Sequence, residues 1–502
     1  MENTVIKQAD AVVVGGGAAG IVAAYKMAKK GLKVIMMDKG SSMLDSDFSK
    51  ISGYIGCDTK YQKAKGITIA SKKNIFEYLT NWAKGDVNPK LISSLLDHTP
   101  EAIELLEEMG LTYSFYSDWL ESDKREIYDN DLTWAPLHLI NEYGPDRTEP
   151  VTKSLIEAGV AVMYNFAGTD LIMEDGKVAG VKGILNGSDP VIVHAKAAFL
   201  ATGGFGNNKE MMKAEFNGAP LVNRGSPNNT GDGIRMALEA GAVMEQSTGL
   251  ACNEICGTTD RHEGDMFDAE YRMYNDNLGF ALYGGLAVDS CGDRFINEEH
   301  MAVNPLASNG IPALSVGHMY VIMDGEYYDG CCEKGIYKYL GCPDWDYGSH
   351  LFVPVLDRAK DQLDEAIQEG WGCKADTLAE IGEHFGLTNL EKTVAEYNAM
   401  CEEGEDKAYG KSAIFLRPIK EGYGYYAFEY AGGFWCTMGG VKTDATLRAL
   451  NAENEPVPGI YIGGMEMGSA FGRTYYDISA TGSGLSIASG AIAADAIEEY
   501  LK

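Results

Sequence analysis

The sequence predicts an α/β protein built on a parallel β-sheet and divided into two domains. The apolar run Ala11–Val14 has the length and composition of a buried parallel strand. A glycine-rich turn, a helical pattern and a second strand, "KVIMM", follow it directly. The chain of 502 residues is also long enough for two hydrophobic cores.

The glycine-rich turn has the spacing of a phosphate-binding motif. Gly15, Gly17 and Gly20 give G-x-G-x-x-G, and the second strand ends at Asp38. The first glycine permits a tight turn, the second lets the backbone approach a pyrophosphate, and the third allows close packing of helix and strand. The acid bonds the ribose hydroxyls. Strand, turn, helix, strand and acid together indicate an ADP-containing dinucleotide, and their place at the N-terminus favours FAD over NAD.

Composition excludes several classes of partner. The formal net charge of −31 repels nucleic acid and anionic membrane surfaces. The apolar runs have the length of strands, and the first residues do not read as a signal peptide, so we expect a cytoplasmic protein without a membrane anchor. The ten cysteines show no paired CxxC spacing, which favours reduced structural thiols and no metal site.

Later segments are also rich in glycine and other small residues, which let the backbone approach a cofactor closely. Strands that turn at 174–176 and 186–189 predict a β-meander, whose last strand runs into "LATGGFG". Glycines open a helix of small residues in "TGDGIRMALEAGA" and again in the last helix, "SGLSIASGAIAADAIEEYL". Such helices let the backbone lie against a cofactor.

The motifs "VVGGGAAG", "LATGGFG", "TGDGIRMALEAGA", "GLAVDSCGDRFINEE", "TMGGVKTD" and "PVPGIYIGGME" occur in one order along nearly the whole chain. In this order they resemble the fumarate reductase/succinate dehydrogenase flavoprotein family, which includes 3-ketosteroid dehydrogenases and urocanate reductase. The resemblance implies a doubly wound FAD-binding domain of Rossmann type, interrupted by an α+β capping domain that carries the substrate. We place the FAD-binding segments at 1–254 and 431–502 and the cap at 255–430.

The resemblance also implies which residues bind FAD. Asp38 would take the adenosine ribose, Glu466 the ribityl or ribose hydroxyls, and the last helix the O2 or N1 edge of the flavin. Because succinate dehydrogenases attach FAD through an early histidine and this chain has none before His98, we expect non-covalent FAD. The full predicted cofactor set is Gly15, Gly17, Ala18, Ala19, Gly20, Asp38, Lys39, Ala201, Thr202, Gly203, Gly204, Asp232, Glu466, Gly482, Gly484, Leu485 and Ser486.

Two positions depart from the fumarate reductase pattern. The arginine that donates the proton in RFxNExxxR is Ala302 here, and His300, two residues earlier, is a substitute candidate or a surface residue of the cap. The histidine that binds a substrate carboxylate before "TMGG" is Cys436. A thiol offers no charge-assisted bond to a carboxylate, so both changes argue against fumarate or succinate.

The stretch "FGRTYYDIS" contains the remaining candidates. Ketosteroid dehydrogenases carry a tyrosine fourteen residues before a glycine of their last helix, and counting back from Gly490 reaches Tyr476. Tyr476 would polarise a carbonyl or move a proton, with the amide of Ala480 beside it. Arg473 would orient an acidic group. Tyr475 is the alternative substrate contact, although packing is the simpler explanation for it.

An aromatic segment, 422–436, ends at Cys436, directly before "TMGG", and includes Tyr426. Such residues form a core or the floor of a pocket for a flat ring. These features place the chain nearer the ketosteroid dehydrogenase-like branch. We expect hydride transfer through flavin N5 at a CH–CH bond next to a carbonyl, in a cyclic or aromatic enone or enoate, with an external electron donor or acceptor. The alternatives are a fumarate-type reductase of small dicarboxylates and a flavin electron-relay subunit without a substrate site.

Overall fold

The computed structural model describes residues 5–120, 122–245, 248–251, 254–258, 264, 275–280, 285–299, 316–341, 356–473 and 475–502. The chain forms two compact units. Unit 1 contains 1–215, 226–251 and 436–502, and unit 2 contains 216–225 and 252–435. Unit 2 is therefore inserted in the sequence of unit 1. The domain boundaries expected from the sequence stay a prediction.

The strands of the described residues are, in chain order, β1 (Val5–Gln8), β2 (Ala11–Val14), β3 (Val34–Met37), β4 (Gly53–Ile55), β5 (Tyr113–Ser114), β6 (Leu137–Ile140), β7 (Ala161–Met163), β8 (Phe166–Glu174), β9 (Lys177–Leu185), β10 (Asp189–His194), β11 (Ala197–Leu200), β12 (Leu221–Asn223), β13 (Gly249–Leu250), β14 (Glu254–Gly257), β15 (Leu286–Val288), β16 (Met319–Asp324), β17 (Gly372–Ala375), β18 (Tyr425–Phe434), β19 (Thr437–Met438), β20 (Arg448–Leu450) and β21 (Pro456–Ile462).

The α-helices of the same residues are α1 (Ala18–Lys29), α2 (Lys60–Lys65), α3 (Lys72–Trp82), α4 (Pro89–Glu108), α5 (Ser122–Asp129), α6 (Pro145–Glu157), α7 (Lys209–Glu215), α8 (Asp232–Glu239), α9 (Gly325–Lys334), α10 (Ile336–Leu340), α11 (Leu363–Gln368), α12 (Leu378–Phe385), α13 (Leu390–Glu403) and α14 (Thr481–Leu501). Within the described ranges, none of these helices has the length and apolar character that crossing a membrane requires.

Unit 1 is built on a six-stranded sheet in the order β20-β21-β11-β2-β3-β7. All neighbours are parallel except β20 and β21. Every residue of β2, β3 and β11 is buried, as expected for parallel strands covered on both faces. A second sheet, β1-β10-β9-β8, contains the meander. The α/β fold class with a Rossmann-like domain is confirmed.

Small residues let α14 pack closely on the rest of unit 1. A Cβ atom on Gly490 would lie 2.3 Å from the carbonyl oxygen of Ala19 in α1, and one on Gly484 would lie 2.2 Å from a methyl of Ile55 in β4. These distances are shorter than any van der Waals contact. The glycines of the last helix therefore allow its N-terminal half to pack directly against α1 and β4.

Unit 2 is organised around β18, which pairs with β12, β14, β16 and β17. One face packs Phe428 and Tyr430 into one core, and the other packs Tyr425 and Ala427 into a second core. The "RFINEE" motif is internal to this unit. Arg294 donates to Glu298 at 2.7 and 3.0 Å and to Asp406 at 2.8 Å, so its charge is used in a buried ion-pair network.

Candidate FAD-binding and active site

The turn between β2 and α1 consists of glycines, which have no side chains. Gly15 has φ +104°, in the left-handed region that favours glycine, and a Cβ atom there would lie 2.2 Å from the carbonyl oxygen of Ala201. Gly17 caps α1 without a side-chain hydrogen bond. The first-turn amides of a helix have no intrahelical acceptors, so Ala18, Ala19 and Gly20 present N–H groups to a phosphate.

Asp38 follows β3 and joins the turn to the next loop. Its carboxylate accepts hydrogen bonds from the amides of Gly16 at 2.6 Å and Gly40 at 2.7 Å. Each oxygen keeps a second lone pair, which is the acceptor that a ribose hydroxyl needs. These contacts hold the carboxylate beside the glycine turn.

Lys39, next in the chain, borders a cavity of unit 1. Its ammonium group pairs with Asp232 at 2.7 Å and donates to Thr230 at 2.6 Å. The cavity has a volume of about 460 Å³ and is lined by Lys39, Asn165, Ala167, Ile184, Asn186 and Gly187. Because it adjoins the segment that follows Asp38, it can accept the adenosine end of a dinucleotide whose pyrophosphate lies on α1.

In the segment after β11, two glycines also have no room for a side chain. A Cβ atom on Gly203 would lie 2.5 Å from the side-chain oxygen of Asn229, and one on Gly204 would lie 2.0 Å from the hydroxyl of Thr437. The amide of Phe205 donates to that hydroxyl at 2.9 Å. Neighbouring elements therefore hold the backbone of 201–205 in place.

Glu466 lies between this segment and α8. It is completely buried, and its two carboxylate oxygens accept from the amide and the hydroxyl of Thr202 at 2.7 and 2.8 Å. Burial is the main cause that raises the pKa of Glu466 to about 8, and the nearby carboxylate of Asp232 adds to it. At neutral pH the carboxyl group is thus mostly protonated and can donate as well as accept hydrogen bonds.

Two residues that the sequence did not suggest hold a loop of the predicted FAD site in place. Asp47 accepts from the side chain of Asn229 at 2.8 Å and from the amide of Ser226 at 3.1 Å, and burial raises its pKa. Arg147, only 2% exposed, donates to the carbonyl oxygens of Phe48 and Ile51 at 2.7 and 2.8 Å. Arg147 thereby fixes the loop that carries Asp47.

The N-terminal turn of α14 is preceded by Ala480. Its φ of +61° is in the left-handed region, which glycine adopts more readily than alanine. Its carbonyl oxygen accepts from Ile55 at 3.2 Å. Leu485 is fully buried, and the hydroxyl of Ser486 donates to the carbonyl oxygen of Gly482 at 2.7 Å. If these residues bind FAD as predicted, they would therefore contact it through their backbone groups.

Tyr475 and Cys436 lie beside this turn. The phenol oxygen of Tyr475 accepts a hydrogen bond from the amide of Gly482 at 2.9 Å. Burial, and then the neighbouring thiol of Cys436, raise the pKa of Tyr475. Burial, and then Asp47, raise the pKa of Cys436, so its thiol stays neutral. Both residues are half-buried.

The structure contradicts the predicted orientation of Tyr476. The side chain is completely buried, packs against Phe471, and donates to the carbonyl oxygen of Ala470 at 3.0 Å. Its proton is already used in an internal bond, and no part of the ring is accessible. We therefore correct the prediction that Tyr476 contacts the substrate.

Two other substrate candidates lie elsewhere. Tyr426 belongs to a core of unit 2, where it is 6% exposed and stacks on Tyr328 with ring centroids 4.0 Å apart. Its predicted contact with substrate is corrected to core packing. The side chain of Arg473 is 74% exposed, with a carboxylate oxygen of Asp86 3.9 Å away, so its guanidinium group lies at the surface. His300 and Ala302 lie outside the described residues.

The glycine cradle, the acid after β3 and the buried Glu466 together fit FAD. A model of the family described as "FAD binding domain" matches residues 10–477. The chain belongs to this family of FAD-dependent oxidoreductases, as the sequence motifs predicted.

Curated relatives cover most of this chain. It is 24% identical to the vinyl phenol reductase of Lactiplantibacillus plantarum, over 93% of this chain and 91% of that protein. It is 25% identical to the NADH:fumarate oxidoreductase of Klebsiella pneumoniae, over 93% of this chain, and there it spans only 45% of the relative. The relatives support an enzyme of the reductase class.

Among solved structures, the 3-ketosteroid Δ1-dehydrogenase from Sterolibacterium denitrificans is similar, with a TM-score of 0.67 and 18% identity. The match covers 98% of this chain and 100% of that one. At this identity the likeness shows the fold alone.

Proposed function

We propose that this protein transfers hydrogen across a carbon–carbon bond next to a carbonyl, in a cyclic or aromatic enone or enoate. The observation that carries the proposal is the neutral pair formed by Cys436 and Tyr475 in unit 1. Fumarate reductases place a histidine at the position of Cys436 to bind a carboxylate. Here burial, and then the carboxylate of Asp47, raise the pKa of the thiol, so it stays protonated. A neutral thiol offers a second carboxylate on the substrate no charge-assisted hydrogen bond at this position.

The names of the relatives agree with hydrogen transfer across a conjugated carbon–carbon double bond. They include reductases of a vinyl phenol and of fumarate, and the solved dehydrogenase is in complex with 1,4-androstadiene-3,17-dione. All of these compounds contain a carbon–carbon double bond in conjugation. The neutral pair favours the aromatic and cyclic members over small dicarboxylates for this chain.

FAD, when bound, supplies the hydride acceptor or donor at N5. The residues of unit 1 would bind it without a covalent bond. Amides of 17–20 would bind the pyrophosphate, Asp38 the adenosine ribose, and Glu466 and Thr202 a ribityl hydroxyl, while Lys39 borders the adenosine end. We also propose a cytoplasmic enzyme that exchanges electrons with an external partner.

The test uses the FAD-loaded full chain, photoreduced without oxygen and mixed with cyclohex-2-enone, 4-vinylphenol, cinnamate or fumarate. Return of the oxidised flavin absorbance is followed by stopped flow. Rapid reoxidation by the enone or cinnamate, with fumarate much slower, supports the proposal. Reoxidation by 4-vinylphenol but by neither the enone nor cinnamate would show that the substrate needs no carbonyl group and would overturn it. Preference for fumarate would establish the dicarboxylate alternative. Reoxidation by none of them, but by ferricyanide, would establish the relay alternative. Acid precipitation checks the cofactor, because FAD released into the supernatant is non-covalent.

A further inference from the structure

The hydroxyl of Tyr475 has a proton that no described residue accepts. It receives a hydrogen bond from the amide of Gly482 at 2.9 Å. A phenol can both accept and donate, so this contact leaves its own O–H free for another acceptor. The hydroxyl of the next residue, Tyr476, is bonded in the opposite sense, as a donor to Ala470 at 3.0 Å. Of the two phenols, only Tyr475 can donate a proton to a ligand.

The surroundings keep the phenol of Tyr475 protonated, and Tyr475 is the less buried of the two tyrosines. It is half-buried, whereas Tyr476 is completely buried. Gly482 has no side chain to cover the hydroxyl, and a Cβ atom there would lie 3.2 Å from the phenol oxygen. Burial raises the pKa of Tyr475, so the group is protonated at neutral pH. Cys436, its neighbour, is also neutral and does not compete as an acceptor.

From this contrast we propose that Tyr475 is the catalytic acid of the enzyme and donates its hydroxyl proton to the substrate. The inference rests on the proposed function and deepens it, because it names the group that replaces the arginine missing at Ala302. In the direction of reduction, FAD, when bound and reduced, would supply the hydride, and the electron pair of the substrate double bond would move toward the carbonyl. The O–H bond of Tyr475 breaks, a new O–H bond forms at the former carbonyl oxygen of the enolate-like substrate, and the electrons of the broken bond remain on the phenol oxygen. The resulting enol becomes the saturated ketone by losing its O–H proton to water and taking a proton from water at the α-carbon.

The N-terminal turn of α14 suits this step. The phenolate that forms keeps the hydrogen bond from Gly482, which becomes charge-assisted and stronger. Gly482 lies in the first turn of a helix that runs from Thr481 to Leu501, and the positive end of the helix dipole stabilises an anion there. A proton from water then restores the phenol, so that atoms and charge balance over one cycle.

The experiment compares Tyr475→Phe with Tyr476→Phe in the FAD-loaded enzyme. After photoreduction, Tyr475→Phe should be reoxidised by cyclohex-2-enone about 10²–10⁴-fold more slowly than the unaltered chain, the usual effect of removing a general acid. Reoxidation by ferricyanide, which needs no proton donor, should be unchanged. Tyr476→Phe should keep the enone rate within threefold but lower the thermal midpoint, because it loses a buried hydrogen bond.

A second measurement does not depend on turnover. Cyclohexanone, titrated into oxidised enzyme and followed by its effect on the flavin spectrum, should bind about tenfold more weakly to Tyr475→Phe, because one hydrogen bond to the carbonyl is lost. Equal enone rates and equal affinities in Tyr475→Phe and the unaltered chain would overturn the role of Tyr475 and leave the proposed function intact. An unaltered chain that reacts with no tested double bond would overturn both.

Discussion

The carboxyl group of Glu466 lies against Thr202, whose amide and hydroxyl both donate to it, at 2.7 and 2.8 Å. The pair joins the segment after β11 to the segment after β21, where the FAD cradle is predicted. Gly233 at the start of α8 completes the contact, since its amide donates to the same threonine hydroxyl at 2.9 Å. A buried acid at this position couples the stability of unit 1 to pH.

Stability should fall as the pH rises through the range set by Glu466. Its pKa is about 8 in the folded chain, against an ordinary value of 4.5, so the folded state binds the extra proton between these pH values. The contribution of Glu466 to the free energy of unfolding is therefore complete below pH 4.5, declines between pH 4.5 and 8, and is lost above pH 8. The total loss is on the order of a few kcal/mol. Thermal midpoints of the apo chain between pH 5 and 9 measure this change.

Glu466→Gln should remove that decline, because an amide of the same shape cannot ionise. The variant should melt higher than the unaltered chain above pH 8 and show a flatter dependence below it. Glu174→Gln, at the exposed end of β8, is the matched control and should leave the profile unchanged. A profile for Glu466→Gln that parallels the unaltered chain would assign the pH dependence to other groups.

Arg147 should be needed for both folding and FAD binding. Arg147→Met leaves the carbonyl oxygens of Phe48 and Ile51 without their buried donor, which should cost about 3 kcal/mol of unfolding free energy. Because the same loop holds Asp47, the variant should also retain less FAD after gel filtration. Urea unfolding and flavin absorbance measure the two effects.

Arg235→Met is the control for Arg147. Arg235 is exposed, pairs with Glu239 one turn later and donates to the carbonyl oxygen of Thr169 at 2.6 Å. Because these contacts are open to water, its loss should change the unfolding free energy by less than about 0.5 kcal/mol. If both arginine variants lost the same stability, the buried carbonyl contacts would not be the source of the effect.

Sequence patterns between near neighbours predicted the FAD-binding turn. Side chains whose contacts are distant in sequence could not be predicted in this way. The glycine turn and Asp38 follow from neighbours in sequence, so their spacing alone indicated a cofactor. Arg147 reaches carbonyl oxygens 96 and 99 residues earlier, and no short pattern signals such a contact. For Tyr426, both faces of β18 are buried, so strand alternation could not separate a pocket from a core.

The adjacent tyrosines show another limit. Tyr475 and Tyr476 lie in an irregular segment, where neither the period of a helix nor that of a strand predicts which side chain turns inward. The count from Gly490 selected Tyr476, but the hydrogen bonds of the two hydroxyls favour Tyr475 as the donor.

Ala480→Gly should stabilise the protein. The left-handed conformation at φ +61° costs an alanine about 1–2 kcal/mol, and glycine recovers most of this despite its greater freedom in the unfolded chain. We expect a gain of about 0.5–1 kcal/mol in chemical unfolding. Ala488→Gly, the same change inside α14, should instead destabilise by about 1 kcal/mol or more. Effects of the same sign at both positions would contradict the backbone explanation.

Cys436→His should shift the enzyme toward acidic substrates. The new imidazole would lie close to Asp47, which favours its protonated form, and a cation at this position can bind a substrate carboxylate by a charge-assisted bond. The ratio of reoxidation rates with fumarate and cyclohex-2-enone should rise at least about tenfold below pH 7. Cys436→Ser, neutral and similar in size, should leave the ratio near that of the unaltered chain. If the histidine and serine variants gave the same ratio at every pH, the neutral thiol would not determine the choice of substrate, and the main support for an enone over a dicarboxylate would be lost.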